Sequence, residues 1–550
     1  MKFFKKHYLL IFILALAAFL RFYQIANVPP STQWDETAIG YNAYSILKTG
    51  RDEYGQFLPL VFKSFGDYKP GFYVYLTVPF VGIFGLNETA VRLPSALAGI
   101  ASVYFPYQVC WLLFKKKPLS LLASFALALS PWAIHFSRGA WEANVALLLS
   151  LMGLFWFLKT EKNKTKYLYF SAIAFGLTFL TYQGSKVFIP LLLLGILIFF
   201  FKKIKTLPVK TIVISLFLLS LLALPSLLAM ATGGGGRAQT MSLFSYPRSE
   251  AEVQHLIDVD QGNKLYFNLF HSEGLSFFSR FSERYFNHFS SRFLFFEGDW
   301  SSLRHGPPYT GMLFLFDFIF LATGIYFLIC LNKPETKFIF WWLLVSPLPA
   351  ALTRDSIQGV RSLNMVLPLM IIIGCGFYQI IIWLLKQKKL IAVLLAMGLG
   401  GLYIFSVAYS FEQYFYHYPL QSSKDWVYGY KQVVQEVYPL KNDYQKIIFT
   451  DAYGQPYIYW LFYGQYPPVD YQTQAKLTRG VASDVGRVER LDNVDFRSIS
   501  FDGDKNLSNS LLIGTEIEIP LAKIDYDKQR ILQEVKFLNG QVAFRVVEIF

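Results

Sequence analysis

Long apolar runs separated by short polar segments fill the chain from residue 8 to about residue 409. A helix that crosses a bilayer needs roughly 20 apolar residues, with a range of about 17–25. Runs of about this length predict a polytopic α-helical membrane protein with about eleven spans. The spans are placed near residues 8–26, 91–114, 118–134, 143–158, 167–181, 187–201, 211–230, 310–331, 337–352, 363–385 and 390–409.

The apolar segment 71–86 is not counted as a span, because the positions of the lysines argue against it. If it stays outside and the N-terminal lysines lie in the cytoplasm, the basic clusters at 115–117, 202–210 and 386–389 all fall inside. If it crosses, these clusters fall outside, which breaks the positive-inside rule. Residues 71–86 are therefore predicted to form an interfacial or re-entrant part of one outer loop, 27–90.

This topology places the N-terminus inside and the C-terminus outside. The inner loops are short and basic, whereas the outer segments hold nearly all the Asp and His residues. Chemistry is therefore expected on the extracytoplasmic face of the plasma (inner) membrane. The glycine-rich stretch 233–239, in a large outer loop over 231–309, is predicted to be a mobile segment able to cover the site. The predicted outer segments are 27–90, 135–142, 182–186, 231–309, 353–362 and 410–550.

The pattern changes after about residue 410, where short alternating segments replace the long apolar runs. Such segments are typical of strands in a water-exposed domain. We predict a membrane domain at 1–409 followed by a small extracytoplasmic α/β domain at 410–550. The predicted elements of that domain are strands at 446–451, 510–519 and 541–550 and a helix at 430–438.

The amino-acid composition is typical of a membrane protein and argues against a soluble protein or a nucleic-acid-binding protein. Of the 550 residues, 54% are hydrophobic and 16% are charged, and the mean hydropathy is +0.36; a soluble protein carries about 25% charged residues. The net charge of +14 comes from clusters between apolar runs, so nucleic acid is not an expected partner. The three cysteines lie inside apolar runs, which predicts neither a disulfide framework nor a zinc site: Cys110, Cys330 and Cys375.

Two adjacent carboxylates, Asp35 and Glu36, stand in the first outer loop. Apolar residues recur at helical spacing over 36–47 and Gly50 supplies a stop, which predicts a short amphipathic helix in the membrane interface. The helix dipole favours ionised carboxylates at its N-terminus. On this evidence alone, the two acids are either a helix cap with a first-turn acid or part of a site.

The segment FGDYKPG, 65–71, adds Lys69 to the same loop. A carboxylate and a lysine at the lipid interface can handle a hydroxyl group and a phosphate, respectively. The short outer segment HFSRGAWEAN, 135–144, places Arg138 and Glu142 four residues apart, which predicts one shared helix face. They form either a local ion pair or part of a site, because ionisable groups at the mouth of a span are functional candidates.

Two further outer segments carry basic side chains that suit a lipid phosphate. EGDWSSLRHGPPYTG, 297–311, contains His305, and TRDSIQGVRSLN, 353–364, contains Arg354 and Arg361. Arginine binds phosphate through a planar bidentate fork. Flanking positive charge normally lies on the cytoplasmic side, so its presence outside favours a role in binding.

Together these motifs resemble the GT-C membrane glycosyltransferases. More narrowly, the chain is similar to the family 39-like group of protein O-mannosyltransferases and aminoarabinose transferases, in its bacterial branch. The resemblance covers residues 1 to about 410. It rests on the ordered motifs QWDET, DYKPG, NETAVRLPSALAG, SRGAWEAN, HGPPYTG and TRDSIQGVRSLN.

The resemblance implies roles for particular residues. Asp35 would work beside the acceptor with Glu36 as its neighbour, and Glu142 would be a second acid. Lys69 would contact the lipid phosphate. Some members of the family bind a divalent metal through a Glu just before this lysine. This chain has Tyr68 at the position before Lys69. Binding of Mg²⁺ or Mn²⁺ therefore stays an open alternative, and its ligands are unknown.

The predicted activity is inverting transfer of a sugar from a polyprenyl phosphate to a hydroxyl of a protein, lipid or glycan. Asp35 is the predicted base, and Lys69 with Arg138 or Arg361 would stabilise the leaving phosphate. The alternative is a transporter or flippase of lipid-linked sugars, which would place ionisable residues near the bilayer midplane. Few ionisable residues lie within the predicted spans of this chain, and Asp317 is the main exception. A receptor or scaffold would leave the outer charges without a role.

Overall fold

The computed structural model describes residues 2–231, 241–474, 476–479 and 486–550. The glycine-rich stretch 233–239, predicted to cover the site, lies outside the described residues. The chain forms two compact units. The helical unit comprises Met1–Leu14, Ser102–Ala133 and Ala146–Ser410, and the mixed unit comprises Ala15–Ala101, Ile134–Val145 and Phe411–Phe550.

Long apolar helices account for most of the first 412 residues. Within the described ranges, five are long and apolar enough to cross a membrane: Glu88–Phe114, Glu142–Lys159, Val209–Ala229, Leu363–Leu384 and Lys389–Ser422. A sixth is formed if Lys117–Leu129 and Pro131–Arg138 are counted as one span bent by 53°. Proline explains the bend, since Pro131 lacks the N–H that would continue the helix.

Other predicted spans appear as shorter helices. Three of them are the apolar helices His7–Phe22, Ser185–Phe199 and Asp317–Leu331, and a further short apolar helix, Phe72–Phe84, lies in the segment 71–86 that was not predicted to cross. The predicted spans at 167–181 and 337–352 correspond to helices Lys166–Phe179 and Pro334–Val345. The chain is thus a polytopic helical membrane protein, while the count of eleven spans stays a prediction.

The remaining helices of the helical unit are short. The α-helical ones are Phe201–Ile204, Glu250–Val259, Lys264–Tyr266, Glu273–Asn287 and Leu348–Ala351. The 3₁₀ and π turns are Leu243–Ser245, Phe267–His271, Arg292–Phe296, Leu303–His305 and Leu363–Met365.

Glycines allow two helices of this unit to approach closely. A Cβ on Gly324 would lie 1.9 Å from the carbonyl oxygen of Ile372, and one on Gly376 would lie 1.9 Å from that of Phe320. Small residues at such crossings let backbones meet in apolar surroundings. Helices Asp317–Leu331 and Val366–Leu384 therefore pack backbone against backbone.

The first outer loop opens the mixed unit. Its predicted helix is confirmed as Trp34–Thr49, with Gln33 as N-cap and Gly50 as C-cap at φ +68°. Strands β1 (Val61–Ser64) and β2 (Asp67–Pro70) form an antiparallel hairpin. Helix Phe72–Phe84 has 13 residues. At 1.5 Å per residue it is about 20 Å long, shorter than a bilayer core of about 30 Å.

The tail of the chain forms a six-stranded sheet in the same unit. The strands of the tail are β3 Lys446–Phe449, β4 Leu477–Arg479, β5 Gly486–Val488, β6 Arg490–Leu491, β7 Val494–Phe496, β8 Ser510–Gly514, β9 Gln529–Lys536 and β10 Val542–Ile549. The order in the six-stranded sheet is β6-β7-β3-β8-β10-β9, with β3 parallel to β7 and β8, while β4 pairs with β5 in a separate two-stranded sheet. Helices of the tail are Tyr418–Ser422, Tyr430–Val437, Pro456–Tyr463, Pro468–Gln474 and Phe501–Asp504.

The strands predicted at 446–451 and 541–550 and the helix at 430–438 are confirmed. The strand predicted at 510–519 ends at Gly514, because the carboxylate of Glu518 accepts from the N–H of Thr515 and closes a turn. The tail packs with the first outer loop, since Tyr459 donates to the carbonyl of Thr32 at 3.2 Å. A domain boundary at residue 410 stays a prediction.

Candidate functional site

The N-terminal turn of helix Trp34–Thr49 holds an ion pair between Asp35 and Lys69. The hairpin places Lys69 on β2, opposite Phe62 on β1. Asp35 keeps 39% of its side-chain surface exposed, against 16% for Lys69. The carboxylate therefore stands at the positive end of a helix, beside a cation and open to a reactant.

Glu36, the next residue, is buried and points away from this opening. Its Oε1 accepts from the Nε of Arg92 at 3.1 Å and from the N–H of Ala140 at 2.7 Å. Its Oε2 accepts from the Nη2 of Arg92 and from the N–H of Gln33, both at 3.2 Å. This geometry supports a positioning role for Glu36, and its predicted catalytic role stays a prediction.

Arg92, the partner of Glu36, was not among the predicted site residues. It is fully buried, and beyond the carboxylate its Nη1 donates to the carbonyls of Ile25 at 2.8 Å and Pro29 at 3.0 Å. It thus joins helix Glu88–Phe114 to the start of the first outer loop. The signal was present as a lone arginine inside the apolar run of NETAVRLPSALAG.

Arg138 and Glu142 do not share a helix face, so that prediction is wrong. Arg138 ends helix Pro131–Arg138, and Glu142 begins the next helix after the interruption at Gly139. The buried Arg138 donates to the carbonyls of Leu20 at 2.7 Å and Val28 at 3.0 Å. It therefore satisfies buried carbonyls near the end of the first helix, His7–Phe22. The phosphate role of Arg138 and the acid role of Glu142 stay predictions.

The two basic outer segments, 297–311 and 353–364, contact each other in the helical unit. The buried Asp299 accepts from the Nδ1 of His305 and from the N–H of Gly359, each at 2.7 Å. Burial alone would raise the pKa of Asp299, but His305 and these hydrogen bonds hold it below its ordinary value. His305 therefore lies in a fixed orientation.

Arg354 and Arg361 lie in the second of these segments. The Nη1 of Arg361 donates to Asp355 at 2.6 Å, and the Nη1 of Arg354 donates to the hydroxyl of Tyr246 at 3.0 Å. His305, Arg354 and Arg361 thus lie in the helical unit. The other candidate residues lie in the mixed unit: Asp35, Glu36, Lys69, Arg138 and Glu142. The phosphate roles of the three basic residues stay predictions.

A second buried acid, Glu53, was also missed by the sequence analysis. It is fully buried, and its Oε1 accepts from the Nδ2 of Asn42 at 3.0 Å. Burial, with a smaller contribution from Asp52, raises the pKa of Glu53 to about 8, although Lys69 and Lys63 oppose the shift. The only sequence signal was the polar run RDEYG between two apolar elements.

Replacing Glu53 by glutamine is expected to remove a pH dependence of stability. The pKa of Glu53 is raised from 4.5 to about 8 in the fold, so the folded state binds this proton more tightly than the unfolded chain. The wild-type free energy of unfolding therefore falls as pH rises from 4.5 to about 8, by about 1.4 kcal/mol per pKa unit at most. Glutamine does not titrate, so the free energy of unfolding of Glu53→Gln should increase relative to that of the wild type as pH rises.

Thermal unfolding in detergent between pH 5 and pH 9 measures this effect. The matched control is Glu516→Gln, at an exposed position, whose Tm should follow the wild type at every pH. Parallel Tm curves for Glu53→Gln and the wild type would show that Glu53 does not titrate in this range.

The described residues offer no cluster of three or more His, Cys, Asp or Glu side chains placed to hold a metal ion. Asp35 is paired with Lys69, and Tyr68 occupies the position before the lysine. The described residues around Asp35 do not fit a divalent metal.

Residues 68–228 match the family model of the dolichyl-phosphate-mannose-protein mannosyltransferases. No curated protein sequence matches the chain significantly. The fold is similar to ArnT from Cupriavidus metallidurans bound to undecaprenyl phosphate, with a TM-score of 0.56 and 11% identity over 98% of each chain. The same protein in its apo state gives a TM-score of 0.53 at 11% identity, over 98% of this chain and 97% of that one.

The archaeal oligosaccharyltransferase AglB from Archaeoglobus fulgidus, in complex with an inhibitory peptide and a dolichol phosphate, is also similar. Its TM-score is 0.50 at 12% identity, over 84% of this chain and 64% of that one. At such identities the similarity shows the fold alone. The family match over residues 68–228 and the fold similarity both agree with the resemblance to the GT-C membrane glycosyltransferases that was drawn from the sequence.

Proposed function

We propose that this protein is a membrane glycosyltransferase that moves a sugar from a polyprenyl phosphate to an acceptor hydroxyl. The reaction takes place on the extracytoplasmic face and inverts the anomeric centre. Asp35 is the base, and Lys69 binds the donor phosphate. The relatives with bound undecaprenyl phosphate and dolichol phosphate support a lipid-linked donor.

The proposal rests on the partly exposed ion pair between Asp35 and Lys69, which stands next to the buried, hydrogen-bonded Glu36. Glu36 is buried, and both of its carboxylate oxygens accept hydrogen bonds from Arg92 and from backbone N–H groups. Asp35 instead keeps 39% of its side chain exposed and meets a lysine from a separate hairpin. A carboxylate and an ammonium group thus lie together at a partly exposed position, which supports the proposed roles of base and phosphate ligand.

The chemistry follows from these two groups. The acceptor oxygen attacks the anomeric carbon from the face opposite the phosphate, and its proton passes to the carboxylate of Asp35. The bond between the anomeric carbon and the phosphate oxygen breaks, and its electron pair leaves with the polyprenyl phosphate. The ammonium of Lys69 has three N–H donors, so it can contact Asp35 and the growing charge of the phosphate together.

The purified full chain in liposomes tests the proposal. The probes are undecaprenyl phosphates carrying mannose, glucose or 4-aminoarabinose, each labelled in the sugar. Release of free undecaprenyl phosphate, followed by ³¹P NMR, is expected with at least one of them, together with sugar on a new acceptor or in water. Movement of intact donor between leaflets without cleavage would instead identify a flippase and contradict the proposal.

Replacing Lys69 by alanine is expected to weaken binding of undecaprenyl phosphate by about 10- to 100-fold. This range corresponds to one charge-assisted hydrogen bond, worth about 1.5–3 kcal/mol. Titration of the lipid into the detergent-solubilised protein, read by native mass spectrometry, measures it. Lys63→Ala, on the paired strand β1, is the matched control and should bind as the wild type does. Equal affinity of the two variants would remove Lys69 from the phosphate site.

A further inference from the structure

The C-terminal sheet contains a pocket that the proposed reaction does not yet use. It is lined by Trp34 from the first outer loop and by tail residues that include Asp451, Gln455, Arg487 and Phe496. Its volume is about 210 Å³. Pockets for drug-sized ligands measure about 300–1,000 Å³, so this one accepts a group no larger than one sugar ring.

The topology of the sheet marks this place as a binding position. Asp451 follows the carboxyl end of β3, and Phe496 is the last residue of the parallel strand β7. The chain next crosses to β8 on the other side of β3, so the order of strand addition reverses at β7. Ligands of open α/β sheets bind beyond the carboxyl ends of strands at such reversals.

The polar groups of the pocket suit hydroxyls. Asp451 accepts from the hydroxyl of Ser498 and pairs with the Nη1 of Arg487, both at 2.8 Å. Gln455 donates through Nε2 to the carbonyl of Gly486 at 3.1 Å. Its Oε1 is buried, and none of the described residues donates a hydrogen bond to it. The pocket thus offers an unused acceptor beside a carboxylate and a guanidinium.

Trp34 supplies the apolar side of the same pocket. Its ring passes over Gly454, where an added Cβ would lie 3.6 Å from the ring and the backbone φ of +78° favours glycine. A sugar presents an apolar C–H face to an aromatic ring and its hydroxyls to polar groups at the edge. Asp35, the proposed base, is the next residue along the chain.

We infer that this pocket is an acceptor subsite that binds one saccharide unit, with Trp34 under the ring and Asp451, Gln455 and Arg487 on its hydroxyls. The inference rests on the proposed function, whose acceptor it narrows to a glycan. An extended peptide is disfavoured, since peptides that join sheets do so along an edge strand, and this pocket lies at strand ends.

Saturation-transfer NMR on the full chain in detergent tests the inference without requiring turnover. The probes are the methyl glycosides of mannose, glucose, galactose and N-acetylglucosamine, and the peptide acetyl-Ala-Ser-Ala-Thr-Ala-amide. At least one glycoside is expected to bind. Trp34→Ala and Gln455→Ala should each weaken that binding roughly tenfold, as expected for one lost ring face or one buried hydrogen bond.

Trp111→Ala, which removes a partly exposed ring elsewhere, is the matched control and should bind the glycoside like the wild type. Absence of glycoside binding, or binding unaffected by both pocket substitutions, would overturn the inference. Peptide binding that depends on Trp34 and Gln455, without glycoside binding, would also overturn it in favour of a protein acceptor. Donor cleavage is read in the separate ³¹P assay, so failure of the proposed function is distinguishable from failure of this subsite.

Discussion

Substituting Asp35 by asparagine is expected to lower the rate of sugar transfer by about 10²- to 10⁴-fold, the usual contribution of a general base. Asparagine keeps the shape of the side chain but cannot accept the proton of the attacking hydroxyl. Asp35 lies at the partly exposed start of its helix, so the fold should tolerate the change. Transfer from labelled undecaprenyl-phosphate sugar in liposomes measures the loss.

Donor binding separates this explanation from a general loss of the site. Asp35 neutralises Lys69 in the ion pair, so the asparagine variant should bind undecaprenyl phosphate at least as tightly as the wild type. Asp67→Asn, the same chemical change on strand β2, is the matched control and should transfer sugar normally. Near wild-type transfer by Asp35→Asn would reduce Asp35 to a helix-terminal acid without a chemical role.

The sequence identified the parts of this pair but not their contact. The acidic motif and the stop at Gly50 predict the helix that carries Asp35, and DYKPG places Lys69 later in the same loop. Which carboxylate faces outward depends on the roll of the helix, because consecutive helical residues point about 100° apart. That roll is set by Arg92 and by the N–H of Ala140, both distant in sequence.

A local sequence pattern also fails to show where one helix ends and the next begins. Helical spacing alone linked Arg138 to Glu142, although Gly139 between them marks a break that ends one helix and begins another. Hydropathy locates apolar segments well but does not fix their length. Lys166–Phe179 has 14 residues and Pro334–Val345 has 12, below the usual length of a span, although both segments were predicted as spans.

Replacing Arg92 by methionine is expected to lower the free energy of unfolding by about 3–5 kcal/mol, the usual cost of leaving one buried charge unpaired. Glu36 would keep its buried position and lose both guanidinium contacts. Arg545→Met is a useful comparison, because Arg545 is equally enclosed but its partner Glu534 is 31% exposed. Water can reach Glu534, so this variant should lose less stability. Thermal and denaturant unfolding in detergent measure both losses.

The double variant Glu36→Gln with Arg92→Met decides what Glu36 does. It removes both charges together, so it should recover much of the stability that Arg92→Met loses, and the two substitutions should not be additive. If the folded double variant still transfers sugar, Glu36 positions the helix that presents Asp35 and takes no part in the chemistry. Losses that simply add would show that Glu36 and Arg92 are not energetically coupled. A folded but inactive double variant would show that the Glu36–Arg92 pair is required for transfer and not only for stability.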